Sequence, residues 1–296
     1  IPIASINHEA MGMCLPGSSG VPAIMAERLR IAQESGRQIV YAVKKGLTAR
    51  KVISRKSIEN ALRLGMAIGG STNLALHIPA IAYEAEVDFD LDDIHRISRS
   101  TPQLAKIFPS GKHNVPDFYE AGGVLSVMKH LEPLLYTDCV VCTGHTWKEI
   151  LEKLELVENK IIRPLNNPWN PWGSLSVLKG NLAPKGSISK PAAIDPALHR
   201  FRGPALCFNS EEEATQAVMN GELKPGMVLV IRYEGPKGGP GMREMARIMK
   251  LIYGLGLAGT TAVITDGRFS GTNNGCFVGH ISPEAYEGGP IAYIQN

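Results

Sequence analysis

The sequence predicts an α/β protein whose two halves differ in character, and three observations carry that prediction. The second half alternates short apolar strands, SLSVL, PALCF, MVLVIRY and TTAVITDG, with the helical runs SEEEATQAVMNGEL and MREMARIMKLIYGLGLAG. That alternation is the pattern of a sheet covered by helices, α/β or mixed. The first half is dominated by apolar residues at helical spacing. Between the two, RPLNNPWNPWGSLSVLKGNLAPKGSISKP is rich in proline and has no helical period, which marks a domain boundary near residue 165.

Composition narrows the class. A chain of 296 residues, 44% of them hydrophobic, can bury a large core as one large or two ordinary domains. Its 31 basic and 28 acidic residues are interspersed and leave a net charge of +3, so there is no electrostatic footprint for nucleic acid. No run of about 18 apolar residues is present to span a bilayer. Five scattered cysteines, an odd number, argue against a secreted disulfide framework and for the cytoplasm. The chain opens on Ile1, without the pattern of a signal peptide, and closes on the strand-like GGPIAYIQN, so the expectation is a piece cut from something longer.

Taken in order, the segment from Met25 through Leu29 and Ile31 reads as a buried helix behind the turn CLPGSSG. Ser57 or Asn60 is expected to begin a helix over Ala61 to Ile68, which ends at Gly69 and Gly70. Ser71, Thr72 and Asn73 then open an apolar segment from Leu74 to Tyr83. The GGSTN turn has two readings. Its amides and the Ser71 and Thr72 hydroxyls can hold a carboxylate or phosphate, or the hydroxyls simply cap the helix. The run Asp88 to Asp93 supplies N-terminal charge to a short helix through Ile94 and Ile97. FPSGKHNVPDFYEAGG reads as a loop that offers Lys112 at its tip as a binding residue or as ordinary surface. VLSVMKHLEPLL reads as an amphipathic helix, and a polar helix is expected over Lys148 to Glu158. Cys139 and Cys142 form a C-x-x-C without the second pair a zinc site requires, and are expected to be small core residues beside a strand and turn.

The stretch from Val230 to His280 concentrates the chemistry. Four glycines and two prolines make EGPKGGPGM a rigid, open loop, with Glu244 expected in the first turn of the next helix. That carboxylate is either a ligand for a hard cation such as Mg²⁺ or a dipole-compensating charge worth only about 0.3–1 kcal/mol. Asp266, Arg268 and Ser270 sit where a strand ends, with Gly267 and Gly271 allowing a sharp turn. Ser270 is then a nucleophile or a general base, but no G-x-S-x-G elbow accompanies it, and a serine base needs its alkoxide stabilised by a cation.

The runs GGSTN, PSGK, NLAP, RYEGPKGGPGM, TDGRFSG and GHISPEAYEGGPIA, in this order and spacing, resemble the dihydroxy-acid, sugar-acid and phosphogluconate dehydratase family over essentially the whole chain. The resemblance implies a hydro-lyase that converts a 2,3-dihydroxy carboxylic acid to a 2-keto acid. TDGRFSG and YEGPKGG favour the branch of valine and isoleucine biosynthesis; the alternatives are a sugar-acid (aldonate) dehydratase, or a non-catalytic domain that binds an acid or a partner. For the fold it implies that residues 1–165 are the helix-rich remainder of an N-terminal α/β domain. Residues 166–296 become a mixed β/α domain, swivelling and barrel-like, that carries the catalytic serine. Ser270 falls on the family's proton-abstracting serine and Glu244 on its Mg²⁺ ligand, with Glu234 a neighbour. Arg268, Ser71, Thr72 and Lys112 are candidate substrate-binding residues. An iron–sulfur cluster, [2Fe-2S] or [4Fe-4S], is the family's Lewis acid, but its ligands precede the segment resembling EAMGMCLPG, so none of the five cysteines here maps onto it. The implied partners are a small dihydroxy acid and, at full length, further copies in a homo-oligomer. The chain alone is expected to hold no cluster and to show no dehydratase turnover. Iron and sulfide assays of the purified chain check this, and a stoichiometric cluster would overturn it.

Overall fold

The structure is a computed structural model that describes residues 3–108, 111–239, 241–269 and 275–296. The chain divides into two compact units, Ile1–Ser174 and Leu175–Asn296. No helix among the described residues is long and apolar enough to cross a membrane.

The first unit is helical: α1 (Ile3–Ala10), α2 (Glu27–Lys44), α3 (Ala49–Val52), α4 (Arg55–Ala67), α5 (Leu74–Glu84), α6 (Leu91–Arg99), α7 (Val115–Glu120), α8 (Gly123–Leu131) and α9 (Trp147–Leu151). Its core gathers Ile6, Leu64, Ile68, Phe118, Val127, Leu131 and Trp147. The Trp147 indole is fully buried and donates to the Ala10 carbonyl (3.1 Å), which ties α9 to the end of α1.

Several expectations shift here for identifiable reasons. α4 starts at Ser54, not at Ser57 or Asn60. Ser54 and Ser57 form a reciprocal cap, each hydroxyl accepting the other's amide (3.2 and 2.8 Å). Asn60 is instead a buried tether that donates to the Tyr136 carbonyl and accepts the Tyr136 amide, both at 2.9 Å. The expected loop after Phe108 contains α7, started by Asn114, whose side chain accepts the Asp117 amide, with Pro116 in its first turn. The polar helix is shorter than expected and stops at Leu151, although Leu154 beyond it still packs against the core. α6 is as expected, with Asp90 and Asp93 in a reciprocal cap.

The largest departure is α2, which is not buried behind its loop. Ala42 is the one buried residue in it. One face, with half-buried Ile31 and Gln38, lies on the protein, where Gln38 donates to the Cys142 carbonyl (2.9 Å). Leu29, Ile39, Val40 and Val43 point outward. Apolar spacing states that a helix has a face, not which face is covered.

The second unit is built on a six-stranded sheet. Its strands are β1 (Ser176–Leu178), β2 (Gly186–Ser189), β3 (Ala205–Phe208), β4 (Val228–Ile231), β6 (Ala262–Thr265) and β8 (Cys276–Ser282), in the order β1-β2-β8-β6-β4-β3, with β1 and β3 at the edges. Pairs β3/β4, β4/β6 and β6/β8 are parallel, while β1/β2 and β2/β8 are antiparallel, so the sheet is mixed with parallel pairs in the majority, in keeping with the α/β expectation. Two further strands, β5 (Glu244–Met245) and β7 (Arg268–Phe269), pair separately. Helices α10 (Glu211–Met219) and α11 (Arg247–Gly254) pack with Leu229, Ile231, Val263 and Phe277 on one side of the sheet. Val230 and Ile281 pack on the other with Ala285 and Ile291. Both faces are covered, which is why β4 reads as the unbroken apolar run VLVI. Ser210 caps α10 through the Glu213 amide, but Glu213 returns its bond to Asn209 and not to Ser210, so the expected box is half formed.

Replacing Asn60 with Ala leaves both main-chain groups of Tyr136 without their partner. The expected cost is about 2–4 kcal/mol, read as a lower urea midpoint at unchanged slope.

Candidate functional site

Two parallel neighbours, β4 and β6, end side by side, and carboxylates hold the chain that leaves each of them. Asp266, the residue after β6, is 1% exposed and accepts three main-chain amides: Tyr233 (3.1 Å), Glu234 (3.0 Å) and Ala285 (2.8 Å). Burial pushes its pKa up, and the three amide donors pull it back down. Glu284 accepts the amides of Lys237 (2.9 Å) and Gly238 (3.0 Å). Glu234 accepts the Glu211 amide (2.7 Å) and an Arg243 bond (2.9 Å). Its pKa is also raised, by burial first, against the lowering by the Glu211 amide and Arg243 and with the charges of Glu212 and Glu211 adding to the rise. Arg243 reaches Glu212 with both terminal nitrogens (2.7 and 2.9 Å), which brings the Glu212 carboxyl down to about 2. The loop after β4 is folded so closely on these groups that a Cβ on Gly235 would lie 2.4 Å from Glu284 Oε2, and one on Gly267 would lie 2.8 Å from Glu234 Cβ. Only glycine fits at either position.

Glu244 does not lie in a helical turn. It occupies β5, in register with Arg268 on β7, and α11 starts only at Arg247. Arg268 Nη1 lies 3.8 Å from Glu244 Oε1, and Arg268 Nε donates to the Met242 carbonyl (2.6 Å). The guanidinium is mostly buried while the Glu244 side chain is 36% exposed, so the pair presents a carboxylate to solvent over a held cation. Ser270 lies outside the described residues.

The other candidates belong to the first unit. Ser71 and Thr72 form the turn before α5. The Ser71 hydroxyl accepts the Asn73 amide (3.2 Å), Thr72 is buried, and Lys112 is exposed. Cys139 is buried and Cys142 half-buried, beside a turn closed by the Gly144 amide on the Val141 carbonyl (2.8 Å). Burial pushes the thiols of Cys139 and Cys14 up to about 11.

Among the described residues no group of three His, Cys, Asp or Glu side chains is placed to hold a metal ion. Asp266 and Glu284 turn both oxygens to main-chain amides, and Glu234 turns Oε1 to an amide and to Arg243, whereas Mg²⁺ takes six oxygen ligands. The described residues therefore do not by themselves make a Mg²⁺ or cluster site.

Residues 4–150 match the family model for the dihydroxy-acid/6-phosphogluconate dehydratase N-terminal region, and residues 160–296 match that for the C-terminal region. The chain belongs to the dihydroxy-acid/6-phosphogluconate dehydratase family. Among its relatives are proteins named dihydroxy-acid dehydratase from Ignicoccus hospitalis (48% identical over 290 residues) and Pyrococcus furiosus (49% over 290). Each alignment covers 97% of this chain and 52% of the relative, so the chain spans about half the length of the curated relatives it matches. A third, from Dehalococcoides mccartyi, is 48% identical over 288 residues, again 97% of this chain and 52% of the relative. The stretch of this chain that matches the family's C-terminal region contains both the carboxylate-held loops and the Glu244–Arg268 pair.

Lys190, which has no distinguishing signal inside SISKP, is a buried cation at the end of β2, where Ser189 donates to the Phe277 carbonyl (3.1 Å). Burial pushes its pKa down from 10.5 to about 8. Between those values the unfolded chain binds more protons than the native one, so stability rises with pH from about 8 to about 10.5. Urea midpoints are expected to climb between about pH 8 and 9 in the wild type and to climb less in Lys190→Met, while above about 9 the raised Cys14 and Cys139 thiols oppose the rise in both.

Proposed function

We propose that this chain contributes the proton-abstracting part of a hydro-lyase that converts a 2,3-dihydroxy carboxylic acid to a 2-keto acid, most closely the dihydroxy acids of valine and isoleucine biosynthesis. In that reaction the C2 proton is removed, the C3–O bond breaks with loss of water, and the resulting enol tautomerises to the ketone. The observation that carries the reading is the register of Glu244 opposite Arg268, two residues before Ser270, in a chain nearly half identical to proteins named dihydroxy-acid dehydratase. In this reading Ser270 takes the C2 proton. Arg268, held by the Met242 carbonyl beside Glu244, supplies positive charge to the developing anion. Ser71, Thr72 and Lys112 are assigned to binding the acid. The Mg²⁺ and iron–sulfur cluster of the reading belong to a protein of the relatives' full length, in which Glu244 is one oxygen ligand to Mg²⁺. The free thiols of Cys14, Cys139, Cys142, Cys207 and Cys276 suit a cytoplasmic protein.

A chimera tests the proposal: this chain replaces the matching half of a dihydroxy-acid dehydratase, and keto-acid formation from 2,3-dihydroxyisovalerate and from an aldonate is followed. Turnover of the first substrate is expected, with Ser270→Ala lowering kcat by about 100- to 10,000-fold and Glu244→Gln raising the Mg²⁺ requirement. Preference for the aldonate moves the assignment to the sugar-acid branch. A folded chimera that binds the acid without turnover, or an unchanged rate in Ser270→Ala, removes the catalytic reading.

A further inference from the structure

In the first unit the segment from Gln103 to Lys106 runs between two others. On one side Ala105 bridges Ile162, and the Arg163 amide donates to the Leu104 carbonyl (2.8 Å). Gln103 also bridges Asn170, the Trp169 amide donates to the Gln103 carbonyl (2.8 Å), and the two side-chain amides join at 2.6 Å. This pairing brings three side chains that are distant in sequence to one place. The Arg163 guanidinium carbon lies 3.4 Å from the Trp169 ring centroid, and Lys106 Nζ lies 5.5 Å from the same centroid. All three residues are half-buried.

The inventory of these groups is one-sided. Among the described residues neither Lys106 nor Arg163 is in an ion pair, and Trp169 Nε1 is buried without a hydrogen-bond partner. An indole face attracts either cation, yet two like charges on one ring repel each other, and a buried N–H without an acceptor is costly. Stacking uses the flat face of the guanidinium and leaves its N–H edge available. Two charged donors converge on one ring with no acceptor between them. The missing partner is a compact group carrying several acceptor oxygens and negative charge.

We propose that Lys106, Arg163 and Trp169 form a binding site for a carboxylate or phosphate oxyanion. The anion accepts from the Arg163 edge and neutralises the Lys106 ammonium beside the Trp169 ring. Gly111 lies against the same segment, since a Cβ there would lie 2.2 Å from the Lys106 carbonyl oxygen. The site lies wholly within the first unit and does not depend on the roles proposed for Glu244 and Ser270.

The chain has three tryptophans, so its ¹⁵N spectrum contains three indole N–H signals, and Trp169→Phe identifies the one that matters. Titration with inorganic phosphate and, separately, with acetate is expected to move that signal saturably, and the stronger of the two separates a phosphate from a carboxylate ligand. Arg163→Gln and Lys106→Gln are each expected to raise the half-saturating concentration by about tenfold, while the Trp147 and Trp172 signals stay in place and report an intact fold. An immobile Trp169 signal, an equal shift with chloride at the same ionic strength, or variants that titrate like the wild type would overturn the site and leave the stack as packing alone.

Discussion

The Asp266 carboxylate is the constraint on which the second unit's functional end depends. One side chain at the end of β6 receives amides from the chain leaving β4 and from the segment around Ala285. Remove that acceptor and three buried donors lose their partner at once, in a place water does not reach. Two successive amides on one carboxylate also explain how Tyr233 is held at a φ of 61°, a conformation that costs an L-residue about 1–3 kcal/mol unless its surroundings compel it. The neighbouring carboxylates extend the device: Glu284 holds Lys237 and Gly238, and Glu211 holds the first amides of α11, Arg247 (3.0 Å) and Ile248 (3.1 Å).

The first unit uses the same physics independently. Glu9 on α1 is fully buried and accepts the amides of Gly17 (2.7 Å) and Ser19 (2.8 Å) together with the Ser19 hydroxyl. Burial raises its pKa while those donors oppose the rise. In both units a glycine-containing loop that cannot pack apolar side chains is fastened by a charge-assisted acceptor. The consequence for function is a division of labour among acids. Glu9, Asp266, Glu234, Glu284 and Glu211, at 0–8% exposure, hold main chain, and Glu244, a third exposed, faces solvent over Arg268.

That division marks how far sequence reading reaches. Alternation of apolar strands and helices locates β1, β3, β4, β6 and α10, and the caps at Asp90 and Ser210 are readable because capping is a contact between residues three apart. β8 is not readable as a strand: Cys276, Gly279 and His280 dilute its alternation, and its pairing with β2 and β6 is what makes it one. Glu244 reads as helical for a related reason, since MREMARIM has helical spacing and only the partner strand at Arg268 holds Glu244 and Met245 extended. The convergence of Lys106, Arg163 and Trp169 has no local signal at all.

The sequence by itself determined the family, the α/β class and the identity of the groups available for chemistry, because these depend on residue type, order and short-range spacing. Tertiary structure decided which acid holds a loop and which faces solvent, which side of α2 is covered, and which cations share a ring. Those outcomes depend on burial and on partners tens of residues away, and a carboxylate's role comes from the donors it accepts rather than from its place in a motif.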